Sequence, residues 1–554
     1  MVVQTLETQL SQILRSAISR LSPEAAVPEA LLRWDMPKDP SFGDVSSAAA
    51  FKLAASLRQP PPRLAEALAE AFVACSRQTN AGEAIDRAEA NAGFLNVFLS
   101  PSALIETLTQ ALEEGGRFGH CRRDPSPLIN IEFVSANPTG PLSLAHGRQA
   151  GVGDVLARLL RSQGFRVTTE YYLNDEGRQI EMLGRSLRAR YLQALGRDEP
   201  FPEDGYHGSY VTESAARLIQ QHGDRWADQP LEAFMAFGMD EQLAEIRRVL
   251  ARFNLVFDVW TSQQWVRTSG RIDAALKALR EAGAVYDAEE AMWFRSTAYG
   301  DDKDRVIKKR NGELTYLAPD IAYHQFKFER KYDQILNLWG PDHHGYIARV
   351  KAAVAALGLP AERLTVKIVQ LVTLSRHGAP VPMSKRAGEF VTFEEVLDEV
   401  GVDATRFFFV MRTMESHLDF DLELAAAQSQ ENPVYYVQYA HARICSILAK
   451  ANGAPREPSP KALERLAETE ERLLLRAIVQ YPMVLRLCAA SLEPHGLTIY
   501  LRKLAETFHV FYTKHRVISE DQELTAARLG LIRAAQQVLA NGLGLLGISA
   551  PTRM

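Results

Sequence analysis

The sequence predicts a multidomain α/β protein, with an N-terminal α+β domain, a doubly wound parallel sheet carrying a helical insertion, and a C-terminal α-helical bundle. Three observations predict it. At 554 residues the chain is too long for one compact core. Short apolar runs in its middle are each followed by a helix-periodic stretch, the pattern of a parallel sheet. After about residue 425 strand signals vanish and long amphipathic stretches take over.

In chain order, the first hundred residues hold an amphipathic stretch from Leu6 to Ile18, an alanine-rich stretch from Ala48 to Leu57, and a break at Pro60-Pro61-Pro62 before another helical stretch. Gly93 to Leu99 alternates like a half-buried strand. Gly115-Gly116 and the loop from Arg122 to Pro127 form a linker. The apolar run Leu128 to Val134 then reads as a strand. A loop of Ser, Asn, Pro and Gly follows it, and then a helix whose buried stripe is Val152, Val155, Leu156, Leu159 and Leu160. A second unit of this kind is Gln334 to Trp339, then Gly-Pro-Asp-His-His-Gly and the helical run Tyr346 to Leu357. A third strand is Leu364 to Leu371. Ligands of such sheets bind at loops after the carboxyl ends of strands, so the loops after Val134 and Trp339 are the places to search. Tyr171 to Thr297 reads as a mostly helical insertion. The helices after 425 break at Asn452 to Pro460 and at Pro494 to Gly496. The division expected is 1–120, 121–425 with the insertion at about 171–297, and 426–554.

Hydrophobic residues at 46% and charged residues at 24% are ordinary for a globular protein and exclude a disordered or low-complexity chain. No export signal is visible, and no segment approaches eighteen uncharged apolar residues, so a cytoplasmic protein without membrane contact is expected. Cys75, Cys121, Cys445 and Cys488 stand at no zinc or redox spacing, which predicts reduced thiols and no structural metal. The net charge is −5, but Pro433 to Met554 carries fifteen Lys plus Arg against ten Asp plus Glu, net +5, leaving −10 for the rest. A basic tail attracts phosphates, although a solvated helical surface shows the same imbalance.

Two clusters carry chemistry. Glu132 to Arg148 runs from a strand end through a tight loop into a helix start, where free N–H groups and the helix dipole favour phosphate and His146 adds a donor. Alone it reads equally as an ordinary capped turn. Val381-Pro-Met-Ser-Lys-Arg-Ala-Gly388 puts two cations and a hydroxyl in a glycine-bearing loop, which alone reads as a solvated loop. In this order and context the pair resembles the HIGH and KMSKS signatures of class I aminoacyl-tRNA synthetases. Within that class, Ser135-Ala-Asn-Pro-Thr-Gly-Pro leading to His146-Gly-Arg, Tyr171-Tyr-Leu-Asn-Asp-Glu-Gly, Trp339-Gly-Pro-Asp-His-His-Gly-Tyr346 and Glu431-Asn-Pro-Val-Tyr-Tyr-Val-Gln-Tyr-Ala-His-Ala-Arg443 resemble the arginyl-tRNA synthetase family. The chain end, Leu546 to Met554, does so too.

The resemblance covers nearly the whole chain and implies a Rossmann-type catalytic domain between a tRNA-binding add-on domain and an anticodon-binding bundle. It implies activation of arginine by ATP and transfer to tRNA(Arg), with magnesium carried by the nucleotide and a monomer as the working form. His146 and Lys385 become the catalytic pair, stabilising charge on the departing pyrophosphate. ATP would be held by Ser143, His146, Gly147, Gly340, Asp342, His344, Met383, Ser384 and Lys385. Arginine would be held by Glu132, Ser135 and Asn137 and by Tyr316 with Asp320, since a guanidinium offers five donors to carboxylates. Asn91, Phe94 and Asn96 would read an exposed tRNA base, and Tyr439 and Arg443 would face the anticodon side. Adjacent His343 and His344 lack a third ligand and read as loop residues rather than a metal site.

Two positions depart from the signatures. Ser143 stands where the family usually has histidine, and Pro382 where it usually has lysine, which loses an imidazole at one place and a charge with a backbone N–H at the other. A different class I synthetase or a related nucleotidyl transferase, and a paralogue that binds tRNA without forming the ester, remain the competing readings.

Overall fold

The computed structural model describes residues 6–23, 27–37, 39–381, 383–384, 389–451 and 458–554. The N-terminal unit contains α1 (Leu6–Leu21), β1 (Val45–Ser47), α2 (Ala49–Leu57), α3 (Pro61–Ser76), β2 (Ile85–Asn91) and β3 (Phe94–Leu99), followed by α4 (Pro101–Glu114). Leu10, Ile13, Leu14, Ala17 and Ile18 form the buried stripe of α1, at the spacing of one helix face. Pro61 starts α3 where its missing N–H costs nothing. The three strands pair antiparallel in the order β1-β3-β2, so the single expected strand at Gly93 to Leu99 is the middle of a sheet.

The central unit begins with β4 (Leu128–Glu132), α5 (Leu144–Ser162) and β5 (Arg166–Leu173). Then come α6 (Arg178–Ala194), α7 (Ser209–His222), α8 (Leu231–Arg252), β6 (Val259–Ser262), α9 (Gln263–Thr268) and α10 (Arg271–Glu281). They lead to β7 (Val285–Ala288), β8 (Ala291–Phe294) and β9 (Arg305–Lys308), then α11 (Leu317–Glu329), β10 (Gln334–Trp339), α12 (Ile347–Ala356) and β11 (Leu364–Ile368). Strands β4, β5, β6, β10 and β11 form one parallel sheet in the order β11-β10-β4-β5-β6. This is the doubly wound order, with the chain reversing direction across the sheet between β4 and β10. Helices cover both faces, which is why Ile129, Ile131, Ile335, Leu336 and Leu338 run as near-continuous apolar strands.

The mostly helical reading of 171–297 needs correction. Tyr171 to Leu173 belongs to β5, β6 returns to the sheet edge beside it, and β7, β8 and β9 make a separate antiparallel sheet. Strands of four residues give too short a periodic signal to separate from helix in a charged background. The helical part, α6 to α8, is as expected.

After β11 the chain forms β12 (Val372–Arg376), β13 (Ala379–Pro380), the hairpin strands β14 (Met383–Ser384) and β15 (Glu389–Phe390), α13 (Phe393–Val400), α14 (Val402–Val410), β16 (Leu418–Asp421) and α15 (Leu422–Ala426). The C-terminal unit is α16 (Pro433–Lys450), α17 (Pro460–Leu463), α18 (Thr469–Val479), α19 (Tyr481–Ser491), α20 (His495–Lys514) and α21 (Gln522–Leu546), with no strand among its described residues. Its core, including Ile478, Leu501, Phe508 and Leu539, is continuous with Val155 and Leu159 of α5, so the bundle packs directly on the sheet unit. By length and composition Thr469–Ser491 is apolar enough to cross a membrane, yet 56% of that stretch is buried within the bundle. All four cysteines are free.

Candidate active site

Where β4 and β10 lie side by side, Glu132 and Asn337 are register partners, and both are buried. A carboxylate there needs a partner, because an uncompensated buried charge is costly. Lys327 of α11 supplies it: its Nζ, fully buried, pairs with Glu132 Oε2 and donates to Asn337 Oδ1 at 2.8 Å. Asn337 Nδ2 donates to His324 Nε2 at 2.9 Å, and His324 Nδ1 donates to the carbonyl of Asp320 at 2.8 Å. Both ring nitrogens are thus engaged as a neutral imidazole requires. Burial first, and Lys327 second, push its pKa down to about 4. Next door, Glu170 is held by Arg330, Asn130 and Thr261 at 2.7, 2.7 and 2.6 Å. Burial pushes that carboxyl up, but Lys327 and Arg330 outweigh it and hold it below its ordinary value.

Asp320, Tyr323, His324 and Lys327 therefore turn one face of α11 into the floor of a polar site under the carboxyl ends of the strands. Asp320 is pushed up to about 7, chiefly by burial and also by Glu132, against the pull of Tyr346, Arg349 and Lys327. Tyr316 caps the same helix but is 79% exposed, so it is not enclosed beside Asp320. Lys327 and His324 escaped the sequence reading. The signal was there: polar residues at positions 320, 324 and 327 fall on one face of a helix whose neighbours Leu317, Ile321 and Ala322 are core.

The loop after β4 is bent sharply. Val134 and Ser135 have φ of 69° and 40°, and the N–H of Ser135 reaches back to Phe133 O at 3.0 Å. Two consecutive non-glycine residues in the left-handed region store strain that neighbours must hold. Ser135 Oγ accepts from Tyr172 N at 3.1 Å and lies 3.3 Å from Glu132 Oε1, while Tyr171 OH donates to Ala136 O at 2.7 Å. Further on, Asn137 Nδ2 donates to Gln179 Oε1 at 2.6 Å and Tyr210 OH to Thr139 O at 2.8 Å, so α6 and α7 of the insertion grip this loop. Glu132, Ser135 and Asn137 thereby stand together at the carboxyl end of β4.

Ser143 is the N-cap of α5. Its N–H donates to His146 Nδ1 at 3.2 Å, and its Oγ lies 3.1 Å from the same nitrogen. An acceptor at Nδ1 places the neutral ring's proton on Nε2, which makes His146 a donor at the helix start. Gly147 is buried: a Cβ there would stand 2.5 Å from the Phe393 ring. Its smallness serves packing against α13. Arg148, fully buried, donates to the carbonyls of Gln370 at 2.9 Å, Thr413 at 2.9 Å and Ser416 at 2.8 Å. With no carboxylate beside it, burial lowers its pKa to about 10.

The segment just after the second signature comes back to this helix start. Thr392 forms an antiparallel bridge with Ser143, and Phe393 N donates to Leu142 O at 2.8 Å. Thr392 follows the β14–β15 hairpin, in which Met383 pairs with Phe390 and Ser384 with Glu389. Lys385, Arg386 and Pro382 lie outside the described residues, as do the side chains of Met383 and Ser384. On the other side of the switch point, Gly340 starts a 3₁₀ turn over Pro341–Tyr346 that leaves Asp342, His343 and His344 exposed. The two expected loops thus follow the carboxyl ends of neighbouring strands, β4 and β10.

At the N-terminal unit, Asn91 and Phe94 are exposed, Phe94 to 41% with its ring 4.9 Å from Phe51. Asn96 is only 4% exposed, within the sheet, and does not present its amide to solvent. In α16 the aromatic set divides. Gln438 and His441 are buried and hold the chain end, through Ser549 O at 3.0 Å and Pro551 O at 2.9 Å. Tyr439 stacks between Tyr435 and His509 at 6.3 and 5.8 Å, with the Arg443 guanidinium 5.2 Å over its ring, in a half-buried surface array.

Comparison with known proteins agrees with this geometry. Three family models match: the arginyl tRNA synthetase N-terminal domain over residues 8–99, the class I (R) tRNA synthetase catalytic domain over 232–422, and the DALR anticodon-binding domain over 437–554. The arginine–tRNA ligase of Geobacillus thermodenitrificans is 45% identical over the full length of both chains. That of Desulfosudis oleivorans is 45% identical over 94% of this chain and 95% of its own. The solved structure of Thermus thermophilus arginyl-tRNA synthetase superposes with a TM-score of 0.78 over the whole of both chains at 24% identity, a likeness of fold. Full-length identity at this level, on a parallel sheet whose switch point carries the loop of the first signature, establishes that the chain belongs to the arginyl-tRNA synthetase family and is an arginine–tRNA ligase with a class I catalytic domain.

Proposed function

We propose that arginine activation takes place in the cleft between the start of α5 and the loop after β10, with His146 and Lys385 as the groups that meet the phosphates. The observation that carries this reading is the Ser143–Thr392 bridge, which anchors the base of the cationic hairpin beside the helix start. The arginine carboxylate attacks the ATP α-phosphorus, pyrophosphate departs, and the adenylate passes its acyl group to the terminal ribose of tRNA(Arg). Such phosphoryl chemistry is governed by positioning and charge. His146 Nε2–H, the free N–H groups of α5 and Lys385 meet the charge that builds on pyrophosphate. Ser143, Gly147, Gly340, Asp342, His344, Met383 and Ser384 border the nucleotide in this reading.

Arginine's guanidinium goes to Asp320, and its ammonium end to the Glu132, Ser135 and Asn137 corner, with Tyr316 closing from the rim. Among the described residues no cluster of three or more His, Cys, Asp or Glu could hold a metal ion, so a magnesium ion would find its ligands on the nucleotide's phosphates. There it would offset phosphate charge. The exposed Phe94 suits stacking on an unpaired base and Asn91 its edge, with the Tyr439–Arg443 array toward the anticodon. We assign 1–120, 121–425 and 426–554 to these three tasks, in a cytoplasmic monomer.

The test is arginine-dependent exchange of pyrophosphate into ATP, with and without tRNA(Arg). Exchange with arginine that requires tRNA(Arg) is expected. Exchange without tRNA overturns the ordered binding, exchange driven by lysine overturns the pocket assignment, and full activity of Lys385→Ala overturns the catalytic pair.

A further inference from the structure

Outside the active cleft, a cavity of about 620 Å³ opens between α7, α8 and α13. Glu213, Glu241, Glu245, Glu394, Glu395 and Asp398 line it, opposed by the guanidiniums of Arg217 and Arg248. Arg217 is held by Glu241 at 2.8 Å, and Arg248 by Glu245 and Glu394 at 2.6 Å each. Arg252 reaches Glu394 at 3.2 Å and Asp398 at 2.6 Å. Six carboxylates against three guanidiniums leave three negative charges among the described residues.

An independent observation points to a missing partner. Gln242 lines the same cavity, is 4% exposed, and its Oε1 has no hydrogen-bond partner among the described residues. A buried amide oxygen left without a donor is destabilising, so such atoms mark a place where a donor sits. The wall supplies acceptors and negative charge, and an N–H-bearing cation satisfies both.

The chemistry of the wall narrows the class. No group of three or more of the described acidic, histidine or cysteine side chains converges as metal ligands do. The carboxylates are spread over three helices, and Leu142, Ile246 and Val249 put aliphatic surface between them. Free arginine is a poorer match, because its own carboxylate is repelled by the same wall. We propose that this cavity binds an aliphatic polyammonium cation, with its ammonium groups on the carboxylates and Gln242 Oε1 and its methylene chain against Leu142, Ile246 and Val249. The cation bridges α8 to α13, the helix that opens at the Thr392–Ser143 bridge, and so reinforces the latch already made by Arg248 and Glu394.

The experiment is equilibrium dialysis of labelled spermidine against the full chain at low ionic strength, without tRNA or nucleotide. One saturable site is expected. Glu213→Gln, a surface change outside every ion pair named above, and Gln242→Leu should each weaken it roughly five- to tenfold, the effect of losing one charge or acceptor beside a partly screened cation. Circular dichroism verifies that both variants fold, and Glu213→Gln suffices if Gln242→Leu does not. Saturating arginine should leave spermidine bound, and magnesium chloride should displace it only at far higher concentration. Absence of a saturable site, binding unchanged in the folded variants, displacement by magnesium at equal charge, or one-for-one displacement by arginine would each overturn the proposal.

Discussion

If Asp320 takes the guanidinium as proposed, arginine recognition should depend on pH. Burial, which penalises the charged form, pushes its carboxyl up to about 7. Arginine's guanidinium keeps its charge throughout and requires the carboxylate as acceptor. About one site in ten is ionised at pH 6 and about nine in ten at pH 8, so arginine KM should fall about tenfold across that range, equivalent to about 1.4 kcal/mol. Asp320→Asn keeps the shape and removes the charge. It should abolish the slope and raise KM at pH 8 by roughly 30- to 100-fold, the loss of one charge-assisted hydrogen-bond pair. The sign for stability is opposite. A carboxyl whose folded pKa lies above the ordinary 3.8 favours the fold while protonated and loses that contribution as pH rises toward about 7. Without arginine the wild type should therefore be less stable at pH 8 than at pH 5 relative to Asp320→Asn, by up to about 2.7 kcal/mol, the two pH units between 5 and about 7, and saturating arginine should restore the difference. Steady-state exchange kinetics and thermal melts over pH 5 to 8 measure both effects. A KM independent of pH in the wild type, or a slope that survives in Asp320→Asn, refutes the reasoning.

His146→Ala removes the donor at the start of α5 and should lower kcat about 10²- to 10³-fold with little change in arginine KM, as read by pyrophosphate exchange. Lys327→Met strands Glu132 without its partner and should cost about 3–5 kcal/mol by chemical denaturation, whereas Glu132→Gln in the same chain should recover most of it. Gly147→Ala drives a methyl into the Phe393 ring and should cost about 1–3 kcal/mol while lowering kcat through the displaced Thr392–Ser143 bridge. Phe94→Ala should raise tRNA KM by about 1–3 kcal/mol in free-energy terms, the worth of one stacked base, without altering arginine or ATP KM.

The signature loops were legible because they are local. A strand of period two running into a glycine- and proline-marked turn and then a helix of period 3.6 is written in consecutive residues, as in Leu128 to Leu160 and Gln334 to Ala356. The short strands β6 to β9 were not legible, since four residues in a charged segment carry no periodic signal and their sheets close only through distant partners. Gly147 was partly legible: its motif did not show that the packing of Phe393, distant in sequence, also requires its small size.

By itself the sequence determined the class of each of the three units, the family, and the positions of the two loops after β4 and β10. Each is a property of composition, period or short spacing. Tertiary structure alone decided the electrostatics: that Lys327, 195 residues away, neutralises Glu132, that burial raises Asp320, and that Thr392 docks on Ser143. The reason is physical. Charge and hydrogen bonding act over a few ångströms of space and depend on the water excluded around them, and neither quantity is defined until distant parts of the chain have come together.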